Sequence, residues 1–124
     1  MKKLTVLVLS LLLLTGCASG GPSYQQISQE EAARILEQEE NILILDVRTP
    51  EEFAAGHIKG AVNLPNEDIG PQNLSLLPDR NQKILVYCRS GNRSKQASQK
   101  LAELGYTGIL EFGGINTWTG ELEK

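Results

Sequence analysis

The sequence predicts an α/β domain in which helices cover a mainly parallel β-sheet. Aliphatic runs typical of buried strands alternate along the chain with segments whose apolar residues recur at helical spacing. The chain has 124 residues and a formal net charge of −3, and this length suits one domain with one sizeable core. Because no block of basic residues is present, nucleic acid is not an expected partner.

The first residues have the layout of a bacterial export signal. Two lysines precede an apolar run over 4–14, which has about half of the ~20 residues that a transmembrane helix needs. Residues 14–17, Leu-Thr-Gly-Cys, resemble a lipobox, in which the cysteine receives lipid after cleavage. We therefore expect a signal peptide over 1–16 and a lipid on Cys17. The alternative is an ordinary signal peptide with an incidental cysteine.

The predicted lipid sets the expected location of the protein. Residues 17–26 would form the lipidated N-terminus and a flexible tether of Gly, Ser and Pro, and 27–124 the folded domain. The lipid would hold the domain on a membrane, facing the periplasm or the cell exterior. Ala18 stands where lipoproteins retained in the inner membrane often have aspartate. This favours the outer membrane.

Start and stop signals predict the helices. Ser28 with Glu31 has the pattern of a capping box, as has Thr49 with Glu52. A glycine after the last apolar position suits a helix end, as at Gly105. The predicted helices cover 28–38, 49–56, a brief turn at 74–77 before Pro78, 94–104, and a last short helix carrying Trp118 and Leu122.

The strands are predicted from aliphatic runs rich in β-branched residues, bounded by turn residues. Continuous apolar runs indicate strands that are buried on both faces, as in a parallel sheet. The predicted strands cover 42–47, 61–64, 84–87 and 107–112, with a turn at 57–60 and another at Gly113-Gly114.

One loop has a specific chemical interpretation, because it joins a strand ending at Tyr87 to a helix beginning near Ser94. At the carboxyl end of a parallel strand, a tight loop can point its backbone N–H groups inward, and the following helix adds the positive end of its dipole. Such surroundings favour the thiolate form of Cys88. We expect a nucleophilic cysteine; the alternative is an inert cysteine in the core.

The residues after Cys88 are expected to bind an anion through their N–H groups and the charges of two arginines. A sharp loop also needs a residue that accepts positive φ, which Gly91 supplies. For Ser90 and Ser94, helix capping is favoured over a direct part in the chemistry. The expected anion-binding residues are Arg89, Ser90, Gly91, Asn92 and Arg93.

Three ordered motifs resemble the rhodanese family: LDVRTPEEF at 45–53, GHIKGAVNLP at 56–65 and VYCRSGNRS at 86–94. Gly113-Gly114-Ile115 with Trp118 looks like the family's C-terminal signature. The resemblance implies a rhodanese-like three-layer sandwich with about five strands. It also implies a sulfurtransferase that moves a sulfane sulfur from a donor such as thiosulfate to cyanide or a thiol through a Cys88 persulfide. No metal or organic cofactor is implied.

Other motif residues have two interpretations. Asp46 and Arg48 match the family's Asp-x-Arg motif near the active-site mouth, but their spacing favours a structural ion pair. His57, the only histidine, falls in a family motif whose histidine usually supports the fold, which disfavours a Cys-His couple. Trp118 is expected in the core or in a lid rather than as a substrate platform.

Three rival functions share this pattern. A Cys-dependent phosphatase or arsenate reductase also cradles an anion, but its loop is one residue longer than the one between Cys88 and Arg93. Non-catalytic rhodanese-like modules usually lack the cysteine. A redox role would need an external partner thiol. We expect a monomer that takes a small anionic sulfur donor and a thiol or cyanide acceptor.

Overall fold

The computed structural model describes residues 21–124. The predicted signal peptide, Cys17 and the first part of the tether lie outside this range. The helices are α1 (Gln29–Gln38), α2 (Pro50–Ala55) and α3 (Asn92–Glu103). The strands are β1 (Gln25–Gln26), β2 (Ile42–Asp46), β3 (His57–Ile58), β4 (Val62–Asn63), β5 (Lys83–Cys88), β6 (Gly108–Gly114) and β7 (Leu122–Glu123).

A five-stranded sheet in the order β1-β6-β5-β2-β4 forms the centre of the domain, and all its pairings are parallel. The predicted mainly parallel α/β architecture is therefore confirmed. β5 is the middle strand, and Asp46 at the end of β2 pairs in register with Tyr87 of β5. Because the strands are parallel, the loops that follow β2 and β5 leave the same edge of the sheet side by side.

The sheet separates two hydrophobic clusters, and β5 supplies side chains to both. Ile84, Val86 and Cys88 pack in the cluster that includes Leu101 of α3. Leu85 and Tyr87 pack in the cluster that includes Ile35 of α1. This alternation is the two-residue period of a strand that is buried on both faces. The layers are therefore α1, sheet and α3, as expected for a three-layer sandwich.

Local signals set the helix starts. The Ser28 hydroxyl accepts a hydrogen bond from the Glu31 N–H at 3.0 Å, but the Glu31 carboxylate pairs with Arg34, so only half of the predicted capping box forms. At α2 the box is complete: Thr49 accepts from the Glu52 N–H, and the Glu52 carboxylate accepts from the Thr49 N–H. The complete box fixes Glu52 in the first turn of α2, shortly after β2.

Both ends of the described chain differ from the sequence prediction. Gln25–Gln26, which the sequence places in the flexible tether, form an edge strand that pairs with Leu110 and Glu111 of β6. A pairing of two exposed residues is too short to leave a periodic signal. The expected last helix is a 3-10 turn over Ile115–Thr117, and Leu122 lies in a strand instead.

Three smaller differences concern loops. The turn expected at 57–60 contains β3, which pairs antiparallel with β7. At 74–77 a single turn forms, with the Leu77 N–H donating to the Leu74 carbonyl, rather than a helical segment. A 3-10 helix over Asn66–Asp68 was not expected. Within 21–124, no helix is long and apolar enough to cross a membrane.

Candidate active site

Cys88 ends the middle strand and is 1% exposed. The Gly91 N–H donates to its Sγ atom at 3.0 Å, and the Ser94 Oγ atom lies 3.4 Å from the sulfur. Burial alone would raise the pKa of Cys88, but hydrogen bonding with the Ser94 hydroxyl and hydrogen bonds from the N–H groups of Ser94, Gly91 and Ser90 lower that pKa below its usual value. The loop therefore favours the thiolate.

Two glycines make this loop possible. Gly91, directly before α3, has a φ of 111°. Residues other than glycine rarely adopt this conformation. Gly114 of β6 pairs with Cys88, and a Cβ atom there would lie 2.0 Å from the Arg89 carbonyl oxygen. The absence of that Cβ atom lets the loop pass directly over β6.

Ser94 has a different place from the one predicted. Helix α3 begins at Asn92, two residues earlier than expected, and no side chain caps it. The Ser94 hydroxyl instead donates to the Glu111 carboxylate at 2.5 Å, on the side of Ser94 that faces β6. The capping interpretation of Ser90 and Ser94 is therefore wrong, because the Ser94 side chain turns inward from the first turn of α3.

The guanidinium of Arg93 is bound by the protein itself. Its Nη1 and Nη2 atoms donate to the two carboxylate oxygens of Glu52 at 2.8 and 3.1 Å. Arg93, followed by the backbone and side-chain hydrogen bonds from Thr49, lowers the pKa of Glu52 to about 2, against an opposing effect of burial. Arg93 thus ties the start of α3 to α2, and part of its guanidinium is taken up by Glu52.

Asp46 and Arg48 form a closed network beside the loop. Arg48 donates from Nε and Nη2 to the Asp46 carboxylate, with distances of 2.6 to 3.0 Å, and from Nη2 to the Gly56 carbonyl. The Tyr87 hydroxyl donates to the same carboxylate at 2.6 Å and accepts from the Ile58 N–H. Every member of this network has partners within the fold, which suits a scaffold.

His57 and Trp118 also take part in the fold. The His57 ring stacks on Phe53 with centroids 3.7 Å apart, and its Nδ1 atom bonds the Phe53 carbonyl at 2.9 Å. Trp118 packs against the cluster under α1, with its ring centroid 5.4 Å from that of Phe112. Neither residue is among the groups bonded to Cys88.

Two cavities flank the loop. One of about 370 Å³ is lined by Arg89, Arg48 and Leu122 among others. The other, of about 620 Å³, is lined by Ser90 and Gly91 on the loop side. Arg89, Ser90 and Asn92 are exposed. Among the described arginines beside the loop, Arg89 is the one that forms no ion pair, so its charge is available to a ligand.

Two residues of this site were not identified from the sequence. Glu111 was passed over as part of a strand, although one acidic residue inside an aliphatic run is itself a signal of a buried polar contact. Glu52 was assigned only to a helix start, and its bond to Arg93 joins residues 41 positions apart. Within 21–124, no group of three or more His, Cys, Asp or Glu side chains is arranged to hold a metal ion.

The chain is similar in sequence to a known protein family and to several of its members. Residues 28–121 match the family model described as "Rhodanese-like domain". The chain is 38% identical over 71 residues to "Thiosulfate sulfurtransferase PspE" of Escherichia coli, covering 57% of this chain and 68% of that protein. It is 39% identical over 94 residues to a "Sulfurtransferase" of Allochromatium vinosum, covering 75% and 86%.

The fold comparison agrees. A solved structure described as "rhodanese with anions from E. coli" superposes with a TM-score of 0.62 at 34% identity, covering 67% of this chain and 98% of that chain. The family match over 28–121 includes the loop after Cys88, the strands β2, β5 and β6, and all three helices.

Proposed function

The chain belongs to the rhodanese-like family and carries out sulfur transfer of the rhodanese type, and on this premise we propose that Cys88 carries the transferred sulfur as a persulfide. The supporting observation is the set of hydrogen bonds around Sγ, which lowers the pKa of Cys88 in spite of its burial. The thiolate is the nucleophilic form of cysteine. A sulfur held by inward N–H groups is therefore ready to attack a donor.

The proposed reaction has two halves. The Cys88 thiolate attacks the outer sulfur of thiosulfate, the bond between its two sulfur atoms breaks, and sulfite leaves with the electron pair. Cyanide or an acceptor thiolate then attacks the outer sulfur of the Cys88 persulfide, and the Cys88 thiolate is restored. The negative charge of the outer sulfur would be stabilised by the loop N–H groups, as at other anion-binding loops. Neither half requires a metal or an organic cofactor.

The donor's charge suggests how it is oriented. Arg48 and Arg93 are each bonded to a carboxylate, whereas Arg89 is exposed at the rim of the 370 Å³ cavity. We assign Arg89 as the guanidinium that receives the anionic end of the donor, with the N–H groups of Ser90, Gly91 and Ser94 around the sulfur. The similar solved structure described as "rhodanese with anions from E. coli" supports the choice of an anionic ligand.

Intact mass tests the persulfide. Full-length protein incubated with thiosulfate should gain the mass of one sulfur atom, and the Cys88→Ser variant should gain none. Sulfur uptake by the variant would contradict the assignment of Cys88. Turnover of a phosphate ester without sulfur uptake would instead favour phosphatase chemistry.

Kinetics test the role of Arg89. Arg89→Gln should raise KM for thiosulfate by roughly tenfold or more, the effect of losing one hydrogen bond to a charged group, while kcat with saturating donor changes less. Arg34→Gln is the control, because Arg34 lies on the exposed side of α1 with Glu31 and Gln38. An unchanged KM in Arg89→Gln would exclude this role.

Location is a separate proposal that concerns residues outside the described range. We propose that Cys17 carries lipid and that the domain is held on a membrane surface outside the cytoplasm, as the lipobox-like residues suggest. Metabolic labelling with a fatty acid should mark the protein, and Cys17→Ala should remove both the label and the membrane fraction. Label that persists in Cys17→Ala would refute the lipid site.

A further inference from the structure

Glu111 is a buried carboxylate directly behind the nucleophile. It lies in β6, is 2% exposed, and forms no ion pair with any Lys, Arg or His of residues 21–124. Its oxygens accept hydrogen bonds from the Ser94 hydroxyl at 2.5 Å, the Gly113 N–H at 3.0 Å and the Gln26 side chain at 3.3 Å. A buried carboxylate without a cation is costly to keep ionised, so its position calls for a functional explanation.

Ser94 connects this carboxylate to the sulfur. Its Oγ atom lies 2.5 Å from the Glu111 Oε2 atom and 3.4 Å from the Cys88 Sγ atom. A serine hydroxyl has one proton to donate and can also accept. If Cys88 and Glu111 were both ionised, that single proton would face two anions. The Gly113 carbonyl, also 3.4 Å from Oγ, is an acceptor and supplies no further proton.

One additional proton completes the hydrogen bonds from Cys88 through Ser94 to Glu111 in either of two arrangements. In the first, the Cys88 thiol donates to Ser94, and Ser94 donates to the Glu111 carboxylate. In the second, protonated Glu111 donates to Ser94, and Ser94 donates to the Cys88 thiolate. Each arrangement leaves one negative charge and no unpaired acceptor along the chain. The two interconvert when the thiol proton moves to Oγ while the hydroxyl proton moves to Oε2.

We propose that Cys88 and Glu111 share one proton through Ser94, so that Glu111 holds the proton that Cys88 releases when it becomes a nucleophile. The inference rests on the proposed role of Cys88 and assigns Glu111 as a positioning residue that acts through Ser94. When an alkylating agent caps the sulfur, the thiolate electron pair forms the new bond and the leaving group departs with the negative charge; Glu111 then no longer faces an anion and releases its proton.

The surroundings of Glu111 allow that release. Glu111 is 2% exposed, but it is among the residues that line the open cavity of about 620 Å³ beside the loop. The titratable groups around it are Cys88 from β5, reached through Ser94, and Lys95 from α3 and Glu30 from α1, which line the same cavity; β1 contributes only the amide of Gln26. Of these, Cys88 is the group joined to Glu111 by the chain through Ser94.

The pH dependence of alkylation tests the shared proton. Iodoacetamide reacts with the thiolate and not the thiol, so in a Cys17→Ala background, where Cys88 is the one cysteine left, the alkylation rate of the full-length protein reports the ionisation of Cys88 without any sulfur donor. Two coupled groups lose protons in two macroscopic steps. We expect the wild-type rate to rise in two steps with pH, and the rates for Glu111→Gln and Ser94→Ala to rise in one.

The control is Glu30→Gln, which removes a charge from the same cavity but is not bonded to Ser94. It should keep both steps. A single step in the wild type, or two steps that persist in Glu111→Gln, overturns the proposal. Because no donor is present, these results are independent of the thiosulfate mass experiment, so the shared proton can fail while the Cys88 persulfide stands.

A second measurement needs no variant. Infrared difference spectra of the wild type, taken as iodoacetamide caps Cys88 at neutral pH, should show the loss of a protonated carboxyl band. A spectrum without a protonated carboxyl band before capping overturns the proposal.

Discussion

Two loops leave the same edge of the sheet next to each other, and in each an arginine follows the residue that ends the strand, Asp46 in β2 and Cys88 in β5. After β2, Asp46 and Arg48 bond to each other and to Tyr87, and their polar atoms are directed into the fold. After β5, the loop N–H groups converge on the sulfur of Cys88. The comparison teaches that satisfied polar groups make a scaffold, whereas donors aimed at one buried atom make a reactive site.

Breaking the pair of Asp46 and Arg48 after β2 should have the largest effect on stability. Asp46→Ala would leave Arg48 buried without its carboxylate, and the loss of one partner of a buried pair costs about 3–5 kcal/mol. Urea denaturation should show this loss in the free energy of unfolding. Asp68→Ala, an exposed acidic control, should change it by less than about 0.5 kcal/mol. A similarly small change in Asp46→Ala would refute the scaffold interpretation.

Displacing the loop that follows β5 should have the next largest effect. In Gly114→Ala, the new Cβ atom would overlap the Arg89 carbonyl, so the loop must move off β6. We expect a loss of about 1–3 kcal/mol in unfolding free energy from overpacking, together with slower alkylation of Cys88. Gly70→Ala is the control, because its Cβ atom would meet no atom within 4 Å. Unaltered alkylation in Gly114→Ala would show that the loop's position on β6 does not matter.

Removing the Ser94 hydroxyl should have a smaller effect, which is specific to the sulfur site. Ser94→Ala removes a hydrogen bond that lowers the pKa of Cys88, so that pKa should rise and alkylation at neutral pH should slow. Stability should fall by about 1–2 kcal/mol, because Glu111 loses a buried donor. Ser98→Ala deletes the same group from the same helix, where the buried hydroxyl has no partner. Equal effects from both variants would contradict a specific role for Ser94.

The smallest effect should come from the ion pair of Glu52 and Arg93, which joins α2 to α3. Because the folded pKa of Glu52 is about 2, below the ordinary 4.5, its bond to Arg93 stabilises the protein at neutral pH. That contribution should be lost as the pH falls from about 4.5 towards about 2. We expect about 1 kcal/mol, since the pair is partly exposed and screened.

Urea denaturation of wild type and Glu52→Gln across this pH range measures the contribution. The difference between the two proteins should be present at neutral pH and should shrink on acidification. Glu51→Gln, which removes the neighbouring charge at the start of α2, controls for the helix dipole. A difference that does not change with pH would exclude the ion pair as its source.

The fold was predictable where short-range signals decide the structure. The box at Thr49 and Glu52 and the aliphatic run of β5 are each contained within a few residues, and both were predicted correctly. The strands β1 and β7 were missed because each has two exposed residues, and their pairing depends on partners far along the chain. Such strands have no pattern of their own to detect.

The same distinction applies to the site. The position of Cys88 at a strand end, before a glycine-containing loop and a helix, follows from adjacent residues and was expected. The contacts that set its surroundings do not: Glu52 reaches Arg93 across 41 positions, and Glu111 reaches Ser94 across 17. A charged residue within a sequence of aliphatic neighbours shows that a buried partner exists, but only the folded chain shows which one.

The shortness of the outer strands has a consequence for how copies of this protein behave together. β1 and β4 close the sheet with two residues each, so each border offers few free N–H and C=O groups to a strand from another molecule. Short borders of this kind discourage self-association into fibrils and precipitates. Copies of the domain should therefore not associate through the edges of this sheet.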